Sequence, residues 1–264
     1  MADPFKIIEP TCISFSGGRT SAYMLWRVLQ SNNGLPDEAI VCFANTGKED
    51  EATLRFVQDC SEEWNVDIHW VEYQQENPKF KVVNFESASR NGKPFEELVL
   101  KKSYLPNPIA RFCTEELKVK AINRYLTTIG HKDIATMVGV RADEPRRLPK
   151  LRARGLLVPL ADAGITQNDV QTFWNKQSFN LGLEFRDGKT ALGNCDLCFL
   201  KGPEQIMGLI KEYPEKATWW AKQEKAINAT FRNDRASYSE MSKFLNNQAD
   251  MFDSTGTIDC FCGD

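Results

Sequence analysis

The chain reads as a doubly wound α/β fold, a parallel sheet of five strands with helices on both faces, followed by a mostly helical C-terminal part. Three observations predict it. Short apolar runs alternate with amphipathic stretches through the first 160 residues. The first apolar run ends in a glycine pair that leads straight into a helical stripe. Beyond residue 160 the apolar runs stop and helix-period patterns remain. Strand–helix–strand alternation of this kind makes successive strands parallel, joined by right-handed crossovers.

Residues 12–15, Cys-Ile-Ser-Phe, form the first expected strand. Residues 21–30 carry Tyr23, Met24, Leu25, Val28 and Leu29 at helical spacing. Residues 39–44 are continuously apolar, as a buried parallel strand is. A helix is expected over 51–64 and a third strand over 67–72. Residues 74–109 contain Pro78, Pro94, Pro106 and Pro108 and read as a long irregular insertion, more often functional than filler. A helix with proline near its start is expected over 108–126, a fourth strand over 134–140 and a fifth over 156–160. Thr166 caps the next helix, and 203–212 and 214–228 give two more. The break near residue 160 divides the chain into an α/β domain, 1–160, and a helical region, 161–264.

The 264 residues, 42% hydrophobic and 26% charged, are enough for a core that depends on neither metal nor disulfides. Thirty-three basic and 36 acidic residues leave a net charge of −3, so nothing global favours a nucleic-acid coat or an anionic membrane. No stretch reaches the roughly 18 to 20 apolar residues of a membrane helix, and Met1 to Lys6 lack a signal-like apolar core. A cytoplasmic protein is expected. In a reducing compartment its eight cysteines are not structural disulfides. Cys12, Cys42 and Cys60 lie in apolar segments and read as small buried hydrophobes. His69 and His131 read as structural or solvated, and Trp219-Trp220 as helix packing.

The strongest local signal is Ser16-Gly17-Gly18-Arg19-Thr20-Ser21, between a strand and a helix. Glycines let the backbone approach a ligand. The amides at the helix start, with the helix dipole, favour an anion. Ser16, Thr20 and Ser21 add hydroxyls and Arg19 a cation. The spacing is not that of a Walker A loop, and a plain glycine turn capping a helix is the competing reading.

Ser-Gly-Gly-x-x-Ser after a first strand resembles the signature of PP-loop nucleotide enzymes. Phe43-Ala44-Asn45-Thr46-Gly47 is similar to the Asp-Thr-Gly element of the phosphoadenosine phosphosulfate (PAPS) reductases among them. Arg111-Phe112-Cys113-Thr114 with Lys118, Gly139-Val140-Arg141 running on to Arg146 and Arg147, and Val158-Pro159-Leu160 before Asp169-Val170 resemble further elements of that family, in order. Arginine follows the two glycines where many members have lysine, Asn45 replaces aspartate, and the Glu-Cys-Gly-Leu-His tail of the assimilatory reductases is absent. The resemblance implies a PP-loop sheet of the HUP-like kind in which the first and fourth strands are neighbours. The loops at Ser16, Asn45 and Arg141 then converge beyond the carboxyl ends of the strands. It implies that Ser16, Gly17, Gly18, Arg19, Thr20, Ser21, Asn45, Thr46, Gly47, Gly139, Arg141 and Arg147 bind an adenine nucleotide, whether PAPS, adenylyl sulfate or ATP.

Cys195-Asp196-Leu197-Cys198 is a Cys-x-x-Cys pair, Cys113 stands at a helix start, and Cys260-Phe261-Cys262 ends the sequence. Four thiolates suit a four-iron cluster or a tetrahedral zinc. The resemblance implies a cluster on Cys113, Cys195, Cys198 and a tail cysteine such as Cys262, with zinc as the alternative. A reductase-like mechanism then has a tail thiolate, Cys260 or Cys262, attack the sulfate sulfur while Lys118 helps hold the sulfonucleotide. A thiol electron donor resolves the adduct. Two alternatives remain: an ATP-dependent adenylating and thiolating enzyme, the only case with a nucleic-acid acceptor, and a non-catalytic nucleotide-binding module with structural zinc. None implies a membrane, and all leave room for a homo-oligomer.

Overall fold

The computed structural model describes residues 3–186 and 189–253. Its centre is a five-stranded sheet of β1 (Thr11–Phe15), β2 (Ala39–Asn45), β3 (Ile68–Glu72), β4 (Lys81–Val83) and β5 (Ala135–Val138), in the spatial order β4-β3-β2-β1-β5. β1, β2, β3 and β5 are parallel, with Ser14 opposite Cys42 on one side and Val138 on the other. All seven residues of β2 are buried, as its unbroken apolar run requires. The expected α/β class holds, with β1 and β5, the fourth of the expected strands, as direct neighbours.

The strand list differs in two places. β4 pairs antiparallel to β3 at the sheet edge, where only three residues, one of them a lysine, make a short protected edge. The expected strand over 156–160 is reduced to one parallel bridge, Leu157 to Met137. Pro159 has no N–H for a ladder and starts the helical turn α7 instead.

Alternation along the strands splits the core between two faces. Cys12, Ile40, Cys42, Ala44 and Val71 pack with Ala121, Ile122, Tyr125 and Leu126. The residues between them, Ile13, Phe15, Val41 and Phe43, are buried on the opposite side. The first helix, α1 (Arg19–Asn32), buries Ala22, Met24, Leu25 and Val28. The second, α2 (Glu51–Trp64), is capped by the Asp50 carboxylate, which accepts from the Ala52 N–H at 3.0 Å.

The insertion is less irregular than its prolines suggest. It holds α3 (Lys93–Lys102), with Phe95, Leu98 and Val99 buried. Pro94 lies in its first turn, where a missing N–H costs nothing. The helix expected from 108 begins at Phe112. It runs as α4 (Phe112–Thr114), a π-helical turn (Glu115–Val119) and α5 (Lys120–Thr128). α6 (Leu148–Ala153), α7 (Pro159–Asp162) and α8 (Gln167–Trp174) follow. Thr166 caps α8 through a reciprocal bond with Asp169. Trp174 packs edge-on against Phe56 of α2 at 4.9 Å between ring centres. The strand pair β6 (Phe185–Arg186) and β7 (Lys189–Thr190) ends this part.

The chain folds as two compact units. The first is the chain through Lys101 together with Arg111–Asp196. The second is Lys102–Ala110 and the chain from Leu197. The division falls after Asp196 and not near residue 160. The second unit contains α9 (Pro203–Glu212), α10 (Pro214–Ile227) and α11 (Tyr238–Asp253) around Phe199, Trp220, Phe231 and Tyr238. Phe199 stacks on Phe231 at 5.5 Å, and Trp220 is fully buried as helix packing predicts. The Glu224 carboxylate accepts from the N–H groups of Phe231 (3.2 Å) and Tyr238 (2.9 Å), and burial pushes its pKa up. No helix among the described residues is long and apolar enough to cross a membrane.

Candidate functional site: the loops after β1, β2 and β5

β1 lies between β2 and β5, so the chain leaves it towards β2 on one side and reaches β5 on the other. In sheets of this kind ligands bind beyond the carboxyl ends of the strands at the point where the order reverses, here between β1 and β5. Residues 16–21 and 139–141 meet at this point.

Gly17 has φ +75°, and a Cβ there would lie 2.7 Å from Thr53 Cγ2 and 3.1 Å from Phe43 Cε2. The loop rests directly on β2 and α2, and only glycine fits. Gly18 is the N-cap of α1, which has no side-chain cap and no acid in its first turn. The Ser21 hydroxyl donates to the Gly18 carbonyl at 3.0 Å and accepts from the Ser16 N–H at 3.1 Å. It also lies 2.9 Å from the Ser16 hydroxyl. These serines therefore set the loop's shape. Gly139 completes it, because a Cβ at that position would lie 2.9 Å from the Ser21 α-carbon and 3.2 Å from its backbone nitrogen.

Arg141 Nη1 is 3.3 Å from Thr20 Oγ1, and its Nε donates to Asp143 Oδ1 at 2.8 Å. Burial raises the Asp143 pKa, but bonds from the Gln167 N–H and from Arg141 outweigh it and hold the carboxyl below its ordinary range. Arg147 is more exposed and pairs with Glu144 at 2.6 Å. Arg19 turns to the following segment, donating to Asn180 Oδ1 (2.7 Å) and the Leu183 carbonyl (3.0 Å), while Trp174 Nε1 donates to its carbonyl at 2.9 Å. Its Nη1 is buried without a hydrogen-bond partner, and burial lowers its pKa.

The turn after β2 is built from buried side chains. Asn45 Nδ2 donates to Glu72 Oε1 (2.6 Å) and the Ser89 carbonyl (2.8 Å), and its Oδ1 accepts from the Gly47 N–H (3.0 Å). Thr46 gives both its N–H (2.8 Å) and its hydroxyl (2.7 Å) to Glu49 Oε2. Lys118 Nζ, on the π-helical turn, is 3.3 Å from Glu49 Oε1. Gly47, at φ +77°, packs on Gly92 and Pro94. Asn45 and Thr46 are 0% and 1% exposed, and the N–H groups of Thr46 and Gly47 are bonded within the turn, so it is held from inside.

Cys195 is fixed to the same turn. Its Sγ is 3.4 Å from Thr46 Oγ1, and it bridges to Glu49. Lys48 and Asp196, both buried, pair at 3.0 Å, and the Asp196 N–H donates to the Lys48 carbonyl at 2.8 Å. Cys113 is half-buried on the first turn of α4, and Cys198 belongs to the second unit. Cys260 and Cys262 lie outside the described residues. Among the described residues, no three His, Cys, Asp or Glu side chains come together as a metal-ligand group. Cys12, Cys42 and Cys60 are buried core residues. The bond with Cys12 and burial push the Cys42 thiol well up, and burial does the same to Cys60. His69 is bonded to Tyr125 at 2.9 Å.

Residues 10–154, more than half of the chain, match the model of the phosphoadenosine phosphosulfate reductase domain. The chain belongs to this PP-loop, nucleotide-binding family. The uncharacterized nin region protein ORF290 of Escherichia phage lambda is 31% identical over 211 residues, covering 74% of this chain and 67% of the phage protein. An uncharacterized protein of Methanocaldococcus jannaschii is 27% identical over 139 residues, 53% of this chain but only 24% of its own length. Among solved structures, an NMN synthetase from Francisella tularensis aligns over 96% of this chain and 90% of its own, at 11% identity and TM-score 0.42. A likeness that loose carries nothing about chemistry.

In this PAPS reductase-family chain the residues that sequence reasoning missed are the buried acids. Glu49 sits in Lys48-Glu49-Asp50-Glu51, which reads as a solvated charge run. Glu72 ends an apolar strand, where a charge normally marks the exit to water. In the structure Glu72 is 0% exposed and takes Asn45, the Ser89 N–H and hydroxyl, and Lys81. No sequence signal distinguishes such acids from surface ones.

Proposed function

We propose that this chain is a PAPS reductase-like PP-loop enzyme that binds an adenine sulfonucleotide in the crevice between β1 and β5 and passes its sulfur group to a thiol. The junction of the Ser16–Ser21 loop with Gly139–Arg141 carries this reading. An uncapped helix N-terminus, the Thr20 hydroxyl and the Arg141 guanidinium meet at the switch point, and amides with a bidentate cation are what a phosphate group selects. The unpartnered Arg19 Nη1 adds a buried donor on the same loop. Lys118, held by Glu49, supplies positive charge on a π-helical turn, a distortion frequent at functional sites.

In the reaction, a tail thiolate, Cys260 or Cys262, attacks the sulfate sulfur. The sulfur–oxygen bond to the nucleotide phosphate breaks, and the adenosine phosphate leaves with that electron pair. The product is an enzyme S-sulfonate. A donor thiolate then attacks the cysteine sulfur, forming a disulfide and releasing sulfite. A second donor thiol reduces that disulfide, so the thiol donor supplies the two electrons. Cationic side chains at the crevice stabilise the leaving phosphate.

The test is sulfite release from PAPS and from adenylyl sulfate with a dithiol donor. Wild type is expected to release sulfite, and Cys260→Ser or Cys262→Ser to abolish it while nucleotide binding is retained. Full activity in both variants overturns the nucleophile. Absence of sulfite, with pyrophosphate released from ATP and an acceptor, moves the chain to the adenylating class.

A further inference from the structure

The chain leaves the carboxyl end of β5 and returns beside the same strand at Leu157, whose N–H donates to the Thr136 carbonyl (2.9 Å) and whose carbonyl accepts from the Val138 N–H (2.9 Å). β5 ends the strand order on its side, so this crossover, which contains α6, runs along the sheet edge. From Pro145 to Ala161 it holds Arg146, Arg147, Lys150, Arg152 and Arg154, and no Asp or Glu. All of these cations are exposed. The chain as a whole carries a net charge of −3, so the run opposes the overall charge.

Three features separate this run from an ordinary solvated face. First, the acids that flank it are already spent. Glu144 pairs with Arg147 at 2.6 Å, Asp162 with Arg152 at 2.6 Å and Asp143 with Arg141 at 2.8 Å. Arg146, Lys150 and Arg154 make no side-chain ion pair among the described residues. Second, these three recur every four residues, and Lys150 and Arg154 lie about 6 Å apart along α6 and its C-cap. Like charges at that spacing repel and weaken a helix, so the fold gains nothing from them. A nucleic-acid strand carries one negative charge about every 3.4 Å, so a row of this pitch faces several phosphates at once. Third, the run contains no aromatic residue. Protein partners are held chiefly by buried aromatic and arginine anchors seated in pockets. Here the arginines are exposed, and their planar fork matches a phosphate group.

We propose that the crossover after β5 is a docking surface for the phosphate backbone of a nucleic acid, bound through its charge and not through its bases. Arg146, Lys150 and Arg154 supply the contacts. The surface goes beyond the sulfonucleotide reading and does not rest on it, since Arg141 serves the nucleotide and these three cations serve the polymer.

The experiment titrates the full-length wild-type chain into fluorescently labelled mixed-sequence oligonucleotides, single-stranded and duplex, and follows anisotropy from low to moderate salt. Saturable binding of at least one of them is expected, tighter than about 100 μM at low salt. Three phosphate contacts predict that log K falls against log salt with a slope of about −2 to −3. The double variant Lys150→Ala with Arg154→Ala removes exposed charges and leaves the core intact. It is expected to keep the wild-type melting midpoint, to bind at least about tenfold more weakly and to reduce the slope to about −1. Lys225→Ala, which removes an exposed cation from the second unit, is expected to bind as wild type does. The proposal is overturned if neither oligonucleotide binds the folded wild type, or if the double variant binds as tightly and with the same slope. It is equally overturned if polyglutamate of similar length binds as tightly as the oligonucleotide, which would make the surface a seat for an acidic protein.

Discussion

After β1, the chain enters α1 with no side chain capping its first amides, and Thr20 and Arg141 stand over that start. After β2, one strand away, every polar atom of the Asn45 side chain is bonded, and Thr46 spends its hydroxyl and amide on a buried Glu49. Both turns carry family motifs, and they are built for different work. The first leaves donors available, as an anion site requires. The second is a strut whose buried acids hold the shape of the crevice wall. Loss of the first should show in binding, and loss of the second in stability.

The largest expected effect comes from the strut. Glu49→Ala removes the buried carboxylate that holds Lys118, the Thr46 N–H and its hydroxyl, and is expected to lower unfolding free energy by about 3 kcal/mol, measured by denaturant melts. A loss under about 0.5 kcal/mol would show that this turn is not held from within. Gly139→Ala comes next. Its Cβ meets backbone atoms of Ser21 and not a flexible side chain, so about 1 to 3 kcal/mol of strain is expected, with loss of nucleotide binding. Arg141→Ala should separate the two turns most cleanly. Nucleotide affinity is expected to fall about tenfold to a hundredfold, as for a lost bond to a charged group, while the denaturation midpoint stays near wild type.

The smallest effect contrasts the two units. Burial holds the Glu224 pKa above its ordinary 4.5, so its contribution is complete below that value and is lost as pH rises through the raised one. In the first unit burial raises Glu116, but bonds from Lys120 and Arg124 outweigh it and keep its pKa depressed. That contribution is present above 4.5 and is lost as pH falls through the lowered value. Glu224→Gln is therefore expected to flatten the decline in stability of the second unit from mild acid to neutral pH, read from thermal melts across that window. An unchanged slope would remove Glu224 as its source.

Much of this was legible in the sequence because backbone chemistry leaves marks. The unbroken apolar run of β2, the glycine pair at 17 and 18, the Thr166 cap and the arginine two residues past Gly139 each follow from a local rule. The expectations that needed correction turned on tertiary context. Pro94 suggested a loop but occupies a helix's first turn, and Pro159 ended a ladder that the apolar pattern of 156–160 would have continued. The buried acids gave no signal, since Glu49 and Glu72 look like ordinary surface charges until their partners from distant segments are in place. The cysteine pattern was legible as letters only, because spacing does not say which thiols meet.

The proposed site holds an adenine nucleotide between the loop at Ser16–Ser21 and Arg141. Calorimetric titration of the sulfonucleotide into wild type, Arg141→Ala and Glu76→Ala tests it most directly. Saturable one-to-one binding to wild type is expected, unchanged in Glu76→Ala and at least about tenfold weaker in a folded Arg141→Ala. Absence of binding to wild type, or equal affinity in Arg141→Ala, would contradict it.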